Sequence, residues 1–220
     1  MQGYKGRILR CDINDIVKKG MGYLMTTVWQ SVYFQGTTFV VRITLGAEAV
    51  AIFNTVRTVC RSVNQMFSII NASIFPDLQY EYGQGHIQTV HRYFRVAVLL
   101  SMIIGFAGCA VLVVFGLDLY GWWTKSVLTV PYSVWNVFMF GAFLNAVWWT
   151  SVVTYRMTNQ PYHFAIASTL MSFVSVGLTY VLSYPFGLLG AAIGCTVFEL
   201  VMAFYVLPDS CRLLGMKVQD

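Results

Sequence analysis

Two arginines, Arg57 and Arg61, stand four residues apart inside the long, mostly apolar run AEAVAIFNTVRTVCRSVNQMFSIINASIFPDLQYEYG. At a rise of 1.5 Å per residue they lie roughly 15 to 20 Å below the outer end of that run, which is near the centre of a bilayer if the run crosses one. An arginine facing lipid at that depth costs roughly 2.5 to 3.5 kcal/mol, so the pair must face protein, water or a ligand. Polar neighbours at helical spacing extend the same face: Asn54, Arg57, Arg61, Asn64, Ser68 and Asn71 follow one another at steps of three or four. Such a face either packs against other helices with its arginines paired to structural acids, or lines a wet, cationic cavity that takes an anionic substrate. The second reading carries more weight, because intramembrane ionisable groups default to function and only one acid, Glu199, lies at a matching depth.

Glu199 sits in the last apolar run, GLLGAAIGCTVFELVMAFYVL, and must also face inward. It is either a counter-ion for Arg57 or Arg61, or a protonatable group that couples transport to a cation gradient. The first apolar run carries a weaker stripe, Thr27, Ser31, Gln35, Thr38 and Arg42, which could form the facing wall of the same cavity. Arg42, near the outer end, is read as snorkelling or pairing with Glu48. Asn136 and Asn145 are read as interhelical hydrogen-bonding groups, and Trp148 and Trp149 as lining an interior surface. Asp77 and Glu81, one turn apart after Pro76, and Arg92 and Arg95 at the next helix start are candidates for a cytoplasmic gate; a solvated charge cluster is the simpler account. Gly187, Gly190 and Gly194 include a small-x-x-x-small step that signals close helix packing.

The elements that position these residues follow from composition. Hydrophobic residues make up 57% of the 220 and charged residues 10%, against roughly a quarter charged in a soluble domain, so the apolar surplus needs lipid. Uninterrupted apolar length gives spans near 20–45, 47–80, 95–116, 131–155, 161–184 and 187–208, with Gly46, Gly116, Pro131, Pro161, Pro185 and Pro208 at or beside their junctions. The class is all-α: a polytopic membrane protein of about six transmembrane helices over residues 19–208, with an N-terminal segment 1–18 and a C-terminal tail 209–220. One set of alternating loops and termini holds Lys5, Arg7, Arg10, Lys18, Lys19, Arg92, Arg95, Arg156, Arg212 and Lys217, whereas the opposite set holds only Lys125. The positive-inside rule then puts both termini in the cytoplasm and makes the number of crossings even. The same rule accounts for the net charge of +5 without nucleic acid. Five cysteines without a Cys-x-x-Cys pair and three scattered histidines, His86, His91 and His163, predict no metal and no cofactor.

The segment LGAEAVAIFNTVRTVCRSVNQ, followed by SIINASIFPDLQYEYGQG and a basic helix start, resembles the polysaccharide flippases, which export O-antigen and lipid-linked oligosaccharides within the multidrug/oligosaccharidyl-lipid/polysaccharide exporter superfamily. The run from Leu45 to Gly85 carries most of the resemblance, which covers about residues 18–215 and corresponds to the carboxyl-terminal half of such a transporter. It implies a MATE-like lobe in the bacterial inner membrane, surrounded by membrane lipid and working by alternating access. It further implies that Arg57 and Arg61 face the diphosphate or acidic sugar of a polyprenyl-diphosphate-linked glycan. A full pathway then needs the missing N-terminal lobe or a second copy of the chain. Two alternatives stand beside this reading: a multidrug or cation antiporter lobe, which predicts acids in the cavity, and a membrane-embedded transferase acting on lipid-linked sugars. The transferase would have only Asp77, Glu81, His86 and His91 to work with, in a spacing that specifies no catalysis. No covalent chemistry is required by the transport readings, so the chain is not expected to be an enzyme.

Overall fold

The computed structural model describes residues 10–216, and all of its regular elements are helices. The segments 1–9 and 217–220, which carry Lys5, Arg7 and Lys217 and parts of the two terminal segments expected from sequence, lie outside the described residues. Helix α1 runs from residue 10 to 45 as Arg10–Ser31, a π turn over Val32–Gly36, and Thr37–Leu45. Gly46, at φ 89°, reverses the chain in a backbone conformation open to glycine. Helix α2 is Ala47–Gly83 and helix α3 is Ile87–Trp123. Helix α4 is Tyr132–Met157, with a tighter 3-10 turn over Thr150–Val152. The last segment, Pro161–Leu213, is two helices joined at Gly187, whose φ of 58° and ψ of −135° are not helical. We call the parts before and after Gly187 α5 and α6.

Three of these segments, Ile87–Trp123, Tyr132–Met157 and Pro161–Leu213, are long and apolar enough to cross a membrane by length and composition. Helices α1 and α2 are more polar because they carry the stripes singled out in the sequence. Helix α2 continues through Pro76 to Gly83, and α6 passes Pro208 to end at Leu213. Proline removes one amide donor and crowds the preceding turn, a cost that membrane helices tolerate.

The bundle has a centre and a rim. The most apolar stretch of α4 is 72% buried and that of α3 only 22%, so α4 is the central helix and α3 presents a lipid-facing surface. Val96, Leu99, Ile103, Phe106, Val114 and Phe115 form that outer face of α3. Its inner face is made of small residues, Ala97, Ser101, Gly105, Cys109 and Gly116, which let α4 approach closely. A methyl added at Gly105 would stand 2.7 Å from the Cβ of Ala146, and one at Gly116 would overlap the ring of Trp135. The α5–α6 hairpin closes by the same device. Gly190 packs on the backbone carbonyl of Leu182, a methyl at Gly194 would lie 2.6 Å from Thr179 Oγ1, and Ser175 donates to the Gly194 carbonyl at 2.8 Å. Gly190 and Gly194 therefore serve close helix packing, whereas Gly187 has open space around its Cα and makes the junction between the two helices.

An aromatic cluster joins α1, α4, α5 and α6. Phe198 stacks on Tyr33 with ring centroids 4.4 Å apart and on Trp29 at 5.4 Å, and Trp148 and Phe164 each lie about 6 Å from Trp29. The buried residues of this cluster form the floor beneath the polar residues of α2.

Candidate functional site

Helices α1, α2, α4 and α6 line a half-open cavity of about 210 Å³. Arg57, Arg61, Asn64 and Ser68 of α2 line it, opposite Glu199 of α6, so the α2 face and the single deep acid meet at one place. Asn54 and Gln35, the other two candidates from sequence, are exposed and do not line it. Asn54 accepts a hydrogen bond from Thr38 Oγ1 at 3.1 Å.

Thr27, Ser31 and Gln35 stay in line on one face of α1 and all three are exposed, so the whole stripe lies off the face that carries the site. The wall that α1 presents is instead Trp29, Gln30, Tyr33 and Phe34. Sequence reading missed these aromatics because they read as ordinary apolar residues of a span. The signal that could have found them is their position opposite two guanidinium groups.

Arg57 is 8% exposed. Its Nη1 donates to Thr37 Oγ1 at 3.0 Å, Thr38 Oγ1 at 3.3 Å and the Phe34 carbonyl at 3.4 Å, all on α1. Its guanidinium carbon lies 4.6 Å from the centroid of the Phe34 ring, 5.0 Å from Phe53 and 5.5 Å from Tyr33. Arg61, more exposed, approaches the same Phe34 ring at 5.0 Å. One phenyl ring thus serves two cations, an arrangement in which the ring quadrupole offsets part of the repulsion between like charges. Among the described residues neither arginine is within ion-pairing distance of an acid, and the sole ion pair is His86 with Glu81. The Nη2 of Arg57, the Nε1 of Trp29 and the Oδ1 of Asn64 are buried atoms with no hydrogen-bonding partner, and all three residues line the cavity. Buried polar atoms are ordinarily paired, so these mark where a ligand or water is to be met.

Glu199 lies in the same cavity as the two arginines but makes no direct ion pair with either. Its Oε2 accepts from Asn145 Nδ2 and from Trp148 Nε1, each at 2.9 Å, and its Oε1 accepts from Tyr33 OH at 3.3 Å. Asn145 and Trp148 are three residues apart on α4 and present donors on one face, which is how one helix supplies two bonds to one oxygen. The acid is therefore held by three neutral donors from two helices, beside a cavity whose opposite wall is cationic. Trp149, the neighbour of Trp148, lines the cavity itself.

The gate candidates are spread along the other end of α2. Glu81 binds His86 Nδ1 at 2.8 Å across the α2–α3 turn, whereas Asp77, Arg92 and Arg95 are exposed and make no ion pair with one another or with Glu81. His91 meets the Leu214 carbonyl at 2.7 Å, which ties α3 to the end of α6. No group of three or more potential metal ligands occurs among the described residues.

No protein-family model and no curated protein matches the chain. Solved structures do. The chain is similar to a crystal structure of a MATE mutant, with a TM-score of 0.83 at 15% identity over 97% of this chain and 49% of that one. It is similar to the outward-facing conformation of a multidrug resistance MATE family transporter of the MOP superfamily, with a TM-score of 0.80 at 16% identity over 98% of this chain and 49% of that one. It is similar as well to MATE in complex with MaD5, with a TM-score of 0.77 at 16% identity over all of this chain and 49% of that one. At such identities the likeness establishes the fold. The chain spans about half the length of the solved structures it matches. By fold it is an all-α, multipass membrane lobe of the MATE transporter type.

Proposed function

We propose that this chain is one lobe of a transporter that moves a lipid-linked oligosaccharide or polysaccharide precursor across the bacterial inner membrane by alternating access. The observation that carries the reading is the Arg57–Arg61 pair: two guanidinium groups in a cavity among membrane helices, with no acid of the described residues in ion-pairing distance and with Arg57 Nη2 unpartnered. Guanidinium groups suit the oxygens of a diphosphate, since the planar fork donates two parallel bonds and keeps its charge when desolvated. Asn64, Ser68, Gln30 and Gln65 around them offer neutral donors and acceptors for sugar hydroxyls. Binding and release of such a head group involve no covalent step, so the chain works as a transporter and not as an enzyme. Asn54, exposed beside the Thr38 hydroxyl, contacts the head group only as it approaches, and Gln35 faces the remainder of the transporter.

The remainder is a second lobe, either the amino-terminal half or another copy of the chain, because the solved transporters of this fold are about twice as long. Both termini lie in the cytoplasm, on the side that holds ten of the fourteen basic residues. In liposomes that contain both lobes, a fluorescent polyprenyl-diphosphate sugar is expected to cross, and Arg57→Gln with Arg61→Gln is expected to stop it. A substrate that stays put with both lobes present counts against the reading.

A cation-coupled antiporter is the second reading, and Glu199 favours it, as a carboxyl group at the cavity held by neutral donors is free to exchange a proton. Dye efflux driven by a proton gradient and abolished by Glu199→Gln would support this reading over the first. The transferase reading has no comparable support: Glu81 is engaged by His86, and His91 by a backbone carbonyl.

A further inference from the structure

The polar surface does not end at the arginine pair. Ser68 and Trp149 line the inner cavity and also a second one, of about 410 Å³, to which Asn71, Ala72 and Arg156 contribute. Trp149 and Arg156 in turn line a third, of about 180 Å³, with Tyr23, Thr26 and Gln30. The side chain of Trp149 is therefore a wall common to all three spaces, and Arg156 belongs to both of the outer ones. At 1.5 Å per residue, Asn71 stands about 15 Å beyond Arg61 along α2.

We propose that Arg156, with Ser68 and Asn71, forms a second anion-binding station on the far side of Trp149 from the Arg57–Arg61 chamber. The proposal rests on the function given above, in that both stations take the phosphate oxygens of one class of ligand, a phosphoglycan. Three observations carry it. Arg156 is exposed and makes no ion pair among the described residues, while Asp209 accepts the hydroxyl of the neighbouring Tyr155 at 2.7 Å. The neutral groups beside it are those a sugar phosphate uses: the Ser68 hydroxyl and the Asn71 amide, whose nitrogen donates to the Trp149 carbonyl at 3.4 Å and leaves its oxygen as an acceptor. The two stations share a wall, and the α-helix gives way to a 3-10 turn immediately after Trp149, a change that often marks a hinge. A cation in the last turn of a helix is favoured by the helix dipole alone, but that effect does not place polar cavities on both of its flanks.

The test uses the full chain in nanodiscs, its native cysteines replaced, with a single cysteine introduced by Ala72→Cys for the outer station or Gln65→Cys for the inner one. The probe is inorganic diphosphate, read as slowing of modification by an anionic thiosulfonate. Diphosphate is expected to protect both positions. Arg156→Gln should weaken protection at position 72 by about tenfold or more while leaving position 65 unchanged, and Arg156→Lys should restore most of it. Arg57→Gln should do the reverse. Protection at position 72 that ignores Arg156→Gln, or that disappears equally with Arg57→Gln, means that no separate outer station exists. Protection at position 65 that ignores Arg57→Gln overturns the inner site and the proposed function, whereas the outer station is judged at position 72 alone.

Discussion

Arg57 is positioned by α1, not by an acid. Its three hydrogen bonds and the rings of Tyr33 and Phe34 come from that helix, which leaves the second guanidinium nitrogen for a ligand. Arg57→Gln is expected to weaken diphosphate binding at least about tenfold, equivalent to ~1.4 kcal/mol, as measured by calorimetry. Arg57→Lys should restore only part of it, because an ammonium lacks the planar fork and the stacking surface. Asn54→Ala, at an exposed position off the cavity, should change binding little. Glu199 makes a different prediction. Glu199→Ala leaves the donors of Tyr33, Asn145 and Trp148 unmatched, at about 1–3 kcal/mol for each one that stays buried and unpaired. A marked drop in the melting temperature of the detergent-solubilised protein is expected, while Glu199→Gln, which keeps an acceptor, should melt closer to the parent. Equal melting of the two variants would show that the three bonds contribute no stability.

At the scale of the element, the π turn over Val32–Gly36 and the small faces of α3, α5 and α6 decide where the site sits. Deleting Gln35, which is exposed, should convert the π turn to an α turn and rotate Phe34 relative to Thr37 and Thr38. The helix should survive by circular dichroism while anion binding is lost. A deletion variant that binds normally would mean that the turn does not position the ring. Gly194→Val places a branched side chain where even one methyl meets Thr179 atoms at 2.6–2.8 Å, and should prevent the α5–α6 hairpin from closing. These elements show what was legible in the sequence. The helices were, because apolar length and breaker residues such as Gly46 and Pro161 act locally. The polar face of α2 was legible for the same reason, since one regular helix keeps Arg57, Arg61, Asn64 and Ser68 in line. Gln35 lies off the cavity because its stripe with Thr27 and Ser31 belongs to the neighbouring face of α1, and residue types alone do not say which face turns to the site. The partners of Glu199 depend on how α4, α1 and α6 are spaced, which periodicity along one chain does not encode.

Across the whole molecule, helices α1 and α2 carry an exposed polar surface, with Thr27, Ser31, Gln35, Asn54, Thr58, Arg61, Ser62 and Gln65 all accessible. Lipid is a poor neighbour for such a surface, whereas α3 turns leucine, isoleucine and phenylalanine outward. The polar side is expected to face the second lobe across a water-filled space. Cysteine pairs introduced by Ser31→Cys and Ser62→Cys should crosslink to the second lobe, or to a second copy, in membranes, whereas a cysteine introduced by Ile103→Cys on α3 should not. Crosslinking through position 103 alone would place the partner on the other side of the bundle.

The hydrogen bonds of Arg57 have a consequence for how the chain reaches the bilayer. All of its acceptors lie on the helix synthesised just before it, and the two helices are joined by the reversal at Gly46. The costly guanidinium therefore does not have to wait for the last helices to leave the ribosome. Helices α1 and α2 can pass from the insertion channel as a paired hairpin with that charge already shielded. The later helices then close a cavity around a cation that has been accommodated from the start.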